Sequence, residues 1–206
     1  NRWQLFSPAE LRGTTLGIVG YGSVGRELAR LARAFGMSVV ATKRNAMHPQ
    51  DSGYMPPGQG DDSGELLRRL YPPQALRAML AECDYVVALV PLTSETRYLF
   101  SASAFRAMKK TAVFINLARG GVVEEADLLA ALREGQIAGA ALDVFAIEPL
   151  PPDHPLWRMP NVIVTPHISG ISPNYDQRAA ALFVENLRRY AAGEELLNLF
   201  DRARGY

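Results

Sequence analysis

The chain has 206 residues, 48% of them apolar and 21% charged, with 22 Lys and Arg against 21 Asp and Glu. This is the composition of one globular domain, or one domain with a small appendage, and it excludes disordered, collagen-like and coiled-coil chains. A formal charge of +1 supplies no field to gather nucleic acid or an anionic membrane, and no apolar run nears the ~18 residues of a membrane span.

Ser7-Pro8-Ala9-Glu10 reads as a capping box that starts a short helix before Arg12-Gly13. Thr15–Val19 is a short apolar strand. It runs into Gly20-Tyr21-Gly22-Ser23-Val24-Gly25 and then a helix. Helical periodicity places Val24, Leu28, Leu31, Ala32 and Phe35 on the inner face, with Arg26, Glu27, Arg30 and Arg33 outside. Ser38–Thr42 is the second strand, and Asn45–Gly64, with three Pro and four Gly, is a long surface loop. Helical patterns follow at Glu65–Leu70 and Gln74–Ala81, a strand at Tyr85–Val90 and a short helix at Ser101–Met108. The remaining strands are Ala112–Asn116, Ile137–Leu142 and Val162–Val164. Between them Glu124–Arg133 is a helix with acids in its first turn, and Tyr175–Ala192 is a long closing helix. Alternation of this kind predicts an α/β fold: a Rossmann-type, doubly wound parallel sheet with helices on both faces, binding ligands at the strands' carboxyl ends.

The glycine motif follows a predicted strand and opens a predicted helix, the context a dinucleotide site requires. Gly20 permits the tight turn, Gly22 a close approach of pyrophosphate to backbone, and Gly25 close helix packing. A structural turn and a methyltransferase-type loop are the competing readings. The acid expected after the second strand is replaced by Lys43-Arg44, which favours NADP over NAD because cations attract a 2′-phosphate. Three strand ends carry the other candidates: Arg119 in Asn116-Leu117-Ala118-Arg119-Gly120-Gly121, Glu148 in Leu142–Pro149, and His167 in Thr165-Pro166-His167-Ile168-Ser169-Gly170. Singly each suits a surface or packing role. Together, beside a dinucleotide, they form a carbonyl-reducing set: His supplies a proton, the carboxylate orients it, and Arg binds a substrate carboxylate. The lone Cys83 can form neither an internal disulfide nor a multi-Cys metal site; it points to a reducing, cytoplasmic setting, and no metal is predicted.

The order of these motifs closely resembles the cofactor-binding part of the D-isomer-specific 2-hydroxyacid dehydrogenase family. The matching segments are Leu16–Gly25, Val90-Pro91-Leu92-Thr93-Ser94-Glu95-Thr96, Ile115–Gly121, Ala141–Phe145, Glu148-Pro149-Leu150 and Asn161–Ile168. The resemblance implies His167 as the acid/base, Glu148 as its carboxylate partner and Arg119 as the group that binds and polarises a 2-oxo acid. It implies a cofactor track through Gly20, Tyr21, Gly22, Ser23, Val24, Gly25, Lys43, Arg44, Val90, Pro91, Thr96, Leu117, Ala118, Arg119, His167 and Gly170, with Asp143 near the nicotinamide carboxamide. It also implies NAD(P)-dependent hydride transfer to a small 2-oxo acid by a homodimer. A nucleotide-sensing binding module of the corepressor kind is the competing function. His154, in Asp153-His154-Pro155-Leu156, is read as structural. Residues 1–14 are read as a linker from a substrate domain missing before the chain's non-Met start, 15–171 as the dinucleotide domain, and 172–206 as a closing helix and tail.

Overall fold

Seven strands form a single parallel sheet in the order β3-β2-β1-β4-β5-β6-β7. The structure is a computed structural model, and it describes all residues except 1, 2, 4, 6, 7, 51, 52, 57 and 203–206. The strands are β1 (Thr15–Val19), β2 (Ser38–Thr42), β3 (Arg69–Tyr71), β4 (Tyr85–Ala88), β5 (Val113–Asn116), β6 (Gly139–Leu142) and β7 (Val162–Val164). The helices are α1 (Ser23–Ala34), α2 (Leu76–Leu80), α3 (Ala102–Ala107), α4 (Glu125–Arg133) and α5 (Tyr175–Ala192). Between β1 and β4 the winding reverses, and a crevice opens at that switch point.

The sheet is covered on both faces, which is why β1, β2 and β4 are apolar runs rather than alternating ones. One core layer holds Leu16, Ile18, Ala29, Ala32, Val39 and Val87. The other is larger and centres on Phe114, whose ring lies 4.6 Å from Phe100 and 5.5 Å edge-on from Phe105. These pairings suit the ring quadrupole. The last two elements bury far less. No residue of α5 is buried, and Phe183, Val184, Leu187 and Tyr190 stand exposed along it.

Three expectations are corrected. Of the predicted inner face of α1, Ala32 is buried and Leu28 packs partly buried against the core, but Val24, Leu31 and Phe35 are exposed, and Gly25, Arg26 and Ala29 are buried in their place. Close packing decides this at the start of the helix: a Cβ on Gly25 would sit 2.6 Å from the Gly20 carbonyl oxygen, so no side chain fits there. Glu65–Leu70 is not a helix. The Asp61 carboxylate accepts from the amides of Glu65 (3.0 Å) and Leu66 (3.1 Å), and the chain then pairs with the open edge of β2 as β3. No helix forms over Pro8–Glu10; Ser7 lies outside the described residues, and a turn at Leu11–Gly13 leads into β1. The described residues of the 45–64 segment form no helix or strand, as the segment's composition predicts.

Candidate functional site

The glycine turn is shaped by strands on both sides of it. The amides of Gly20 and Tyr21 donate to the Thr42 carbonyl at the end of β2 (3.3 and 3.0 Å). On the other side, a Cβ on Gly20 would lie 2.9 Å from the Leu89 backbone after β4, and its φ of +108° is one that only glycine adopts without strain. Gly22 caps α1, no side chain fills that cap, and a Cβ there would meet nothing within 4 Å. The helix N-terminus therefore faces open space, and these residues fit a pyrophosphate.

The neighbouring side chains of the expected cofactor track also make contacts within the protein. Tyr21 is buried; its hydroxyl donates to Asp61 Oδ2, and burial followed by that bond pushes the phenol well above its ordinary range. Its guanidinium neighbour Arg26 is fully buried, lies over the Tyr21 ring at 4.6 Å and donates to the carbonyls of Asp61 and Pro49. This cluster pins the long loop to α1. The Lys43 amine donates to the His48 carbonyl (3.0 Å) and to that of Gln50, so it organises the same loop. Arg44 is exposed and meets Glu95 at 3.4 Å. Thr96 accepts from the Thr93 amide (2.8 Å) and donates to the Pro91 carbonyl (2.6 Å), fixing the loop after β4.

A crevice of about 1100 Å³ opens beside the turn. Val24, Val90, Pro91, Leu117, Ala118, Arg119, His167 and Gly170 line it, which gathers residues from the ends of β4, β5 and β7 and from α1. Buried Asn116 shapes the Arg119 loop by accepting from the Ala118 amide (3.1 Å) and donating to the Arg119 carbonyl (3.2 Å). Arg119 itself is exposed, with Nη1 on the Ala118 carbonyl at 2.7 Å. Gly120 is packed so closely that a Cβ would lie 1.9 Å from the Phe145 carbonyl oxygen.

His167 Nδ1 and Glu148 Oε2 are 2.7 Å apart, and the Phe145 amide donates to Glu148 Oε1 at 2.9 Å. The His167 contact, with help from that amide, holds the Glu148 carboxyl below its usual range. The Nδ1 contact leaves Nε2 as the ring's other proton-exchanging atom. Asp143 is 1% exposed. Burial acts to raise its pKa, but donors from Thr165, Ile168 and Ser169 outweigh that and hold it well below the carboxylate norm. His154 is engaged elsewhere, with Nε2 3.0 Å from Glu125 and Nδ1 accepting from the Leu156 amide at 3.3 Å. Reasoning from the sequence missed the Tyr21–Arg26–Asp61 cluster and the part played by Asn116. An arginine on the small-residue side of α1 was the available signal for the first.

The family model described as the D-isomer specific 2-hydroxyacid dehydrogenase NAD binding domain matches residues 1–169. The chain is 39% identical over 193 residues to a glyoxylate reductase of Aeropyrum pernix, an alignment covering 94% of this chain and 53% of that protein. It thus spans about half the length of the relatives it matches. Among solved structures, a D-isomer specific 2-hydroxyacid dehydrogenase from Xanthobacter autotrophicus, in complex with NADPH and MES, matches with TM-score 0.82 and 40% identity over 100% of this chain and 78% of that one. An NADPH-dependent glyoxylate/hydroxypyruvate reductase from Sinorhizobium meliloti, bound to NADP and sulfate, matches with TM-score 0.82 and 33% identity over 100% of this chain and 61% of that one.

Proposed function

The chain belongs to the D-isomer specific 2-hydroxyacid dehydrogenase family, and from that premise we propose that the whole protein reduces a small 2-oxo acid to its 2-hydroxy acid with a nicotinamide dinucleotide. The observation that carries this reading is the His167–Glu148 pair at 2.7 Å, with His167 and Arg119 lining one crevice next to an open glycine turn. Gly20, Gly22 and Gly25 would hold the pyrophosphate at the start of α1. Val90, Pro91, Leu117, Ala118 and Gly170 line the crevice and would wall the dinucleotide. A reduced nicotinamide held there would supply the hydride that the carbonyl carbon accepts. His167 gives a proton from Nε2 to the carbonyl oxygen, and Glu148 on Nδ1 stabilises the charged ring and fixes its plane. Arg119 swings from the Ala118 carbonyl to grip the substrate carboxylate through two parallel hydrogen bonds.

NADP is the favoured cofactor in this reading. Its support is Arg44, exposed at the end of β2 where an acid would repel a 2′-phosphate. Lys43 supports it less directly, through the loop it holds. The domain boundaries at residues 14 and 171, a homodimer and a cytoplasmic site of action belong to the same reading. Among the described residues no helix is long and apolar enough to cross a membrane. The test is oxidation of NADPH and NADH by the full-length protein with a panel of 2-oxo acids, glyoxylate and hydroxypyruvate included. Turnover that disappears in His167→Gln supports the assignment. Tight dinucleotide binding with no turnover on any acid would turn the reading into that of a sensing module.

A further inference from the structure

We propose that Glu95 is a specificity-determining residue for the dinucleotide: its carboxylate competes with a 2′-phosphate for Arg44 and so sets how strongly NADP is preferred over NAD. The inference deepens the functional reading above and rests on it. In the sheet, β2 and β4 flank β1 on opposite sides, so the chain leaving β2 and the chain leaving β4 stand on either side of the glycine turn. Arg44 lies just beyond Thr42, where β2 ends, and Glu95 lies in the loop after β4. Their side chains meet at 3.4 Å, Arg44 Nη2 to Glu95 Oε2, and span the gap between the two flanks. That gap is where the adenosine ribose of a dinucleotide on this turn belongs.

Both partners stand beside anchored backbone. The Lys43 amide donates to the Tyr71 carbonyl at 3.2 Å, which carries the β2–β3 pairing to the residue before Arg44. On the other side, the amides of Thr96 and Arg97 donate to the Thr93 carbonyl at 3.3 and 3.0 Å, and the Thr96 hydroxyl donates to the Pro91 carbonyl. The turn that presents Glu95 is thus closed on itself. The two side chains, by contrast, are open to water: 52% exposed for Arg44 and 74% for Glu95. An ion pair of long side chains in water is held weakly. A phosphate dianion offers Arg44 parallel acceptor oxygens and a larger charge, and it wins the guanidinium. The ribose hydroxyls of NAD carry no charge and leave the pair in place. Lys43 is not the contested cation, since its amine is turned to the His48 and Gln50 carbonyls of the loop. Glu95 therefore restrains the affinity for NADP, and not that for NAD, from the opposite wall.

The experiment is calorimetric titration of the full-length protein with NADPH and NADH. Adenosine 2′,5′-bisphosphate and 5′-AMP, which carry and lack the contested phosphate, extend it to ligands that cannot turn over. Glu95→Gln keeps the shape of an exposed side chain and removes its charge. It is expected to tighten NADPH and the bisphosphate by about 2–5-fold, the scale of an exposed ion pair, and to leave NADH and 5′-AMP within about 1.5-fold. Glu95→Lys replaces the competitor with a second cation and is expected to tighten NADPH by roughly tenfold. The gain in Glu95→Gln shrinks in about 0.5 M salt, because the pair it removes is screened there already. In an Arg44→Ala background, Glu95→Gln is expected to move the NADPH Kd by less than about 1.5-fold, since the two residues act as one unit.

A Glu95→Gln variant that binds NADPH as the wild type does, or that gains NADPH and NADH alike, would overturn the proposal. So would an equal gain in the Arg44→Ala background, which would mean that the carboxylate acts on the phosphate without Arg44. These outcomes leave the functional reading standing. If the wild type binds neither dinucleotide, that reading fails, and the proposal falls with it.

Discussion

The two ends of the crevice are built from different materials. At the β1 end the surface is backbone: the glycine turn, the open cap of α1 and the strand ends that shape them. The charged and aromatic side chains nearby, Tyr21, Arg26 and Lys43, brace the 45–64 loop. At the β5–β7 end the surface is side chain. Arg119 and His167 face the crevice, and Asn116, Asp143 and Glu148 lace the loops that carry them. A pyrophosphate is the same in every dinucleotide and can be met by fixed amides. Proton transfer needs one atom placed to a fraction of an ångström, which takes a network.

The sharpest way to separate the two ends is one substitution in each. His167→Gln in the full-length protein should cut kcat by about 10²–10⁴-fold, the usual range for a lost general acid, and leave the NADPH Kd within about threefold. Gly22→Val should do the converse. Its Cβ meets no protein atom within 4 Å, so thermal melting should stay near wild type, while calorimetric NADPH binding should weaken by roughly 100-fold or more as the pyrophosphate space fills. Loss of binding in the first, or of folding in the second, would break the division.

Gly120→Ala tests the seam between the β5 and β6 loops. The new methyl collides with the Phe145 backbone, so stability in urea should fall by about 3 kcal/mol, the upper range for overpacking. The cations at the β1 end come next. Arg44→Ala should cost about 1–3 kcal/mol on NADPH binding and little on NADH, the scale of a hydrogen bond to a charged group. Lys43→Met should weaken both cofactors alike, because it loosens a shared wall. A larger effect of Lys43 on NADPH alone would place it on the 2′-phosphate.

The smallest effect is in acid. Asp143 and Glu148 both have pKa values depressed by folding, so their contribution to stability is full above the unfolded carboxylate value of about 4 and is lost as pH falls below it. Urea midpoints measured from pH 6 to pH 3 should fall less steeply in Asp143→Asn than in the wild type. Parallel slopes would mean that the Asp143 bonds do not hold the ionised form.

What could be read from the sequence divides along the same line. Strands such as Thr15–Val19 and Ser38–Thr42, and the helix Tyr175–Ala192, are legible because their periodicity or apolar run is local. The glycine turn is legible because its three positions serve backbone geometry. Periodicity places Leu28 and Ala32 of α1 correctly but not Val24, Leu31 and Phe35, because close packing against the sheet takes Gly25 and Ala29, and Arg26 is roofed by a loop far along the chain. Glu65–Leu70 has helical spacing but lies beside an unfilled sheet edge, a condition that no local window contains. Arg119, Glu148 and His167 could be nominated from their motifs. The grip of Asp143 on both sides of His167 could not, because it depends on two strand ends meeting in register.

The glycine turn has a consequence for the order in which the chain becomes competent during synthesis. Its shape is imposed from both flanks: Thr42 ends the strand that follows α1, whereas Leu89 emerges only after the 45–64 loop, β3 and α2. A nascent chain halted after β2 holds all three motif glycines and still lacks one flank of the mould. Domains tend to fold as units while chains lengthen. Cofactor recognition should therefore appear as a step once β4 has left the ribosome, not as a gradual gain from β1 onward, and ribosome-stalled chains of graded length would reveal where that step falls.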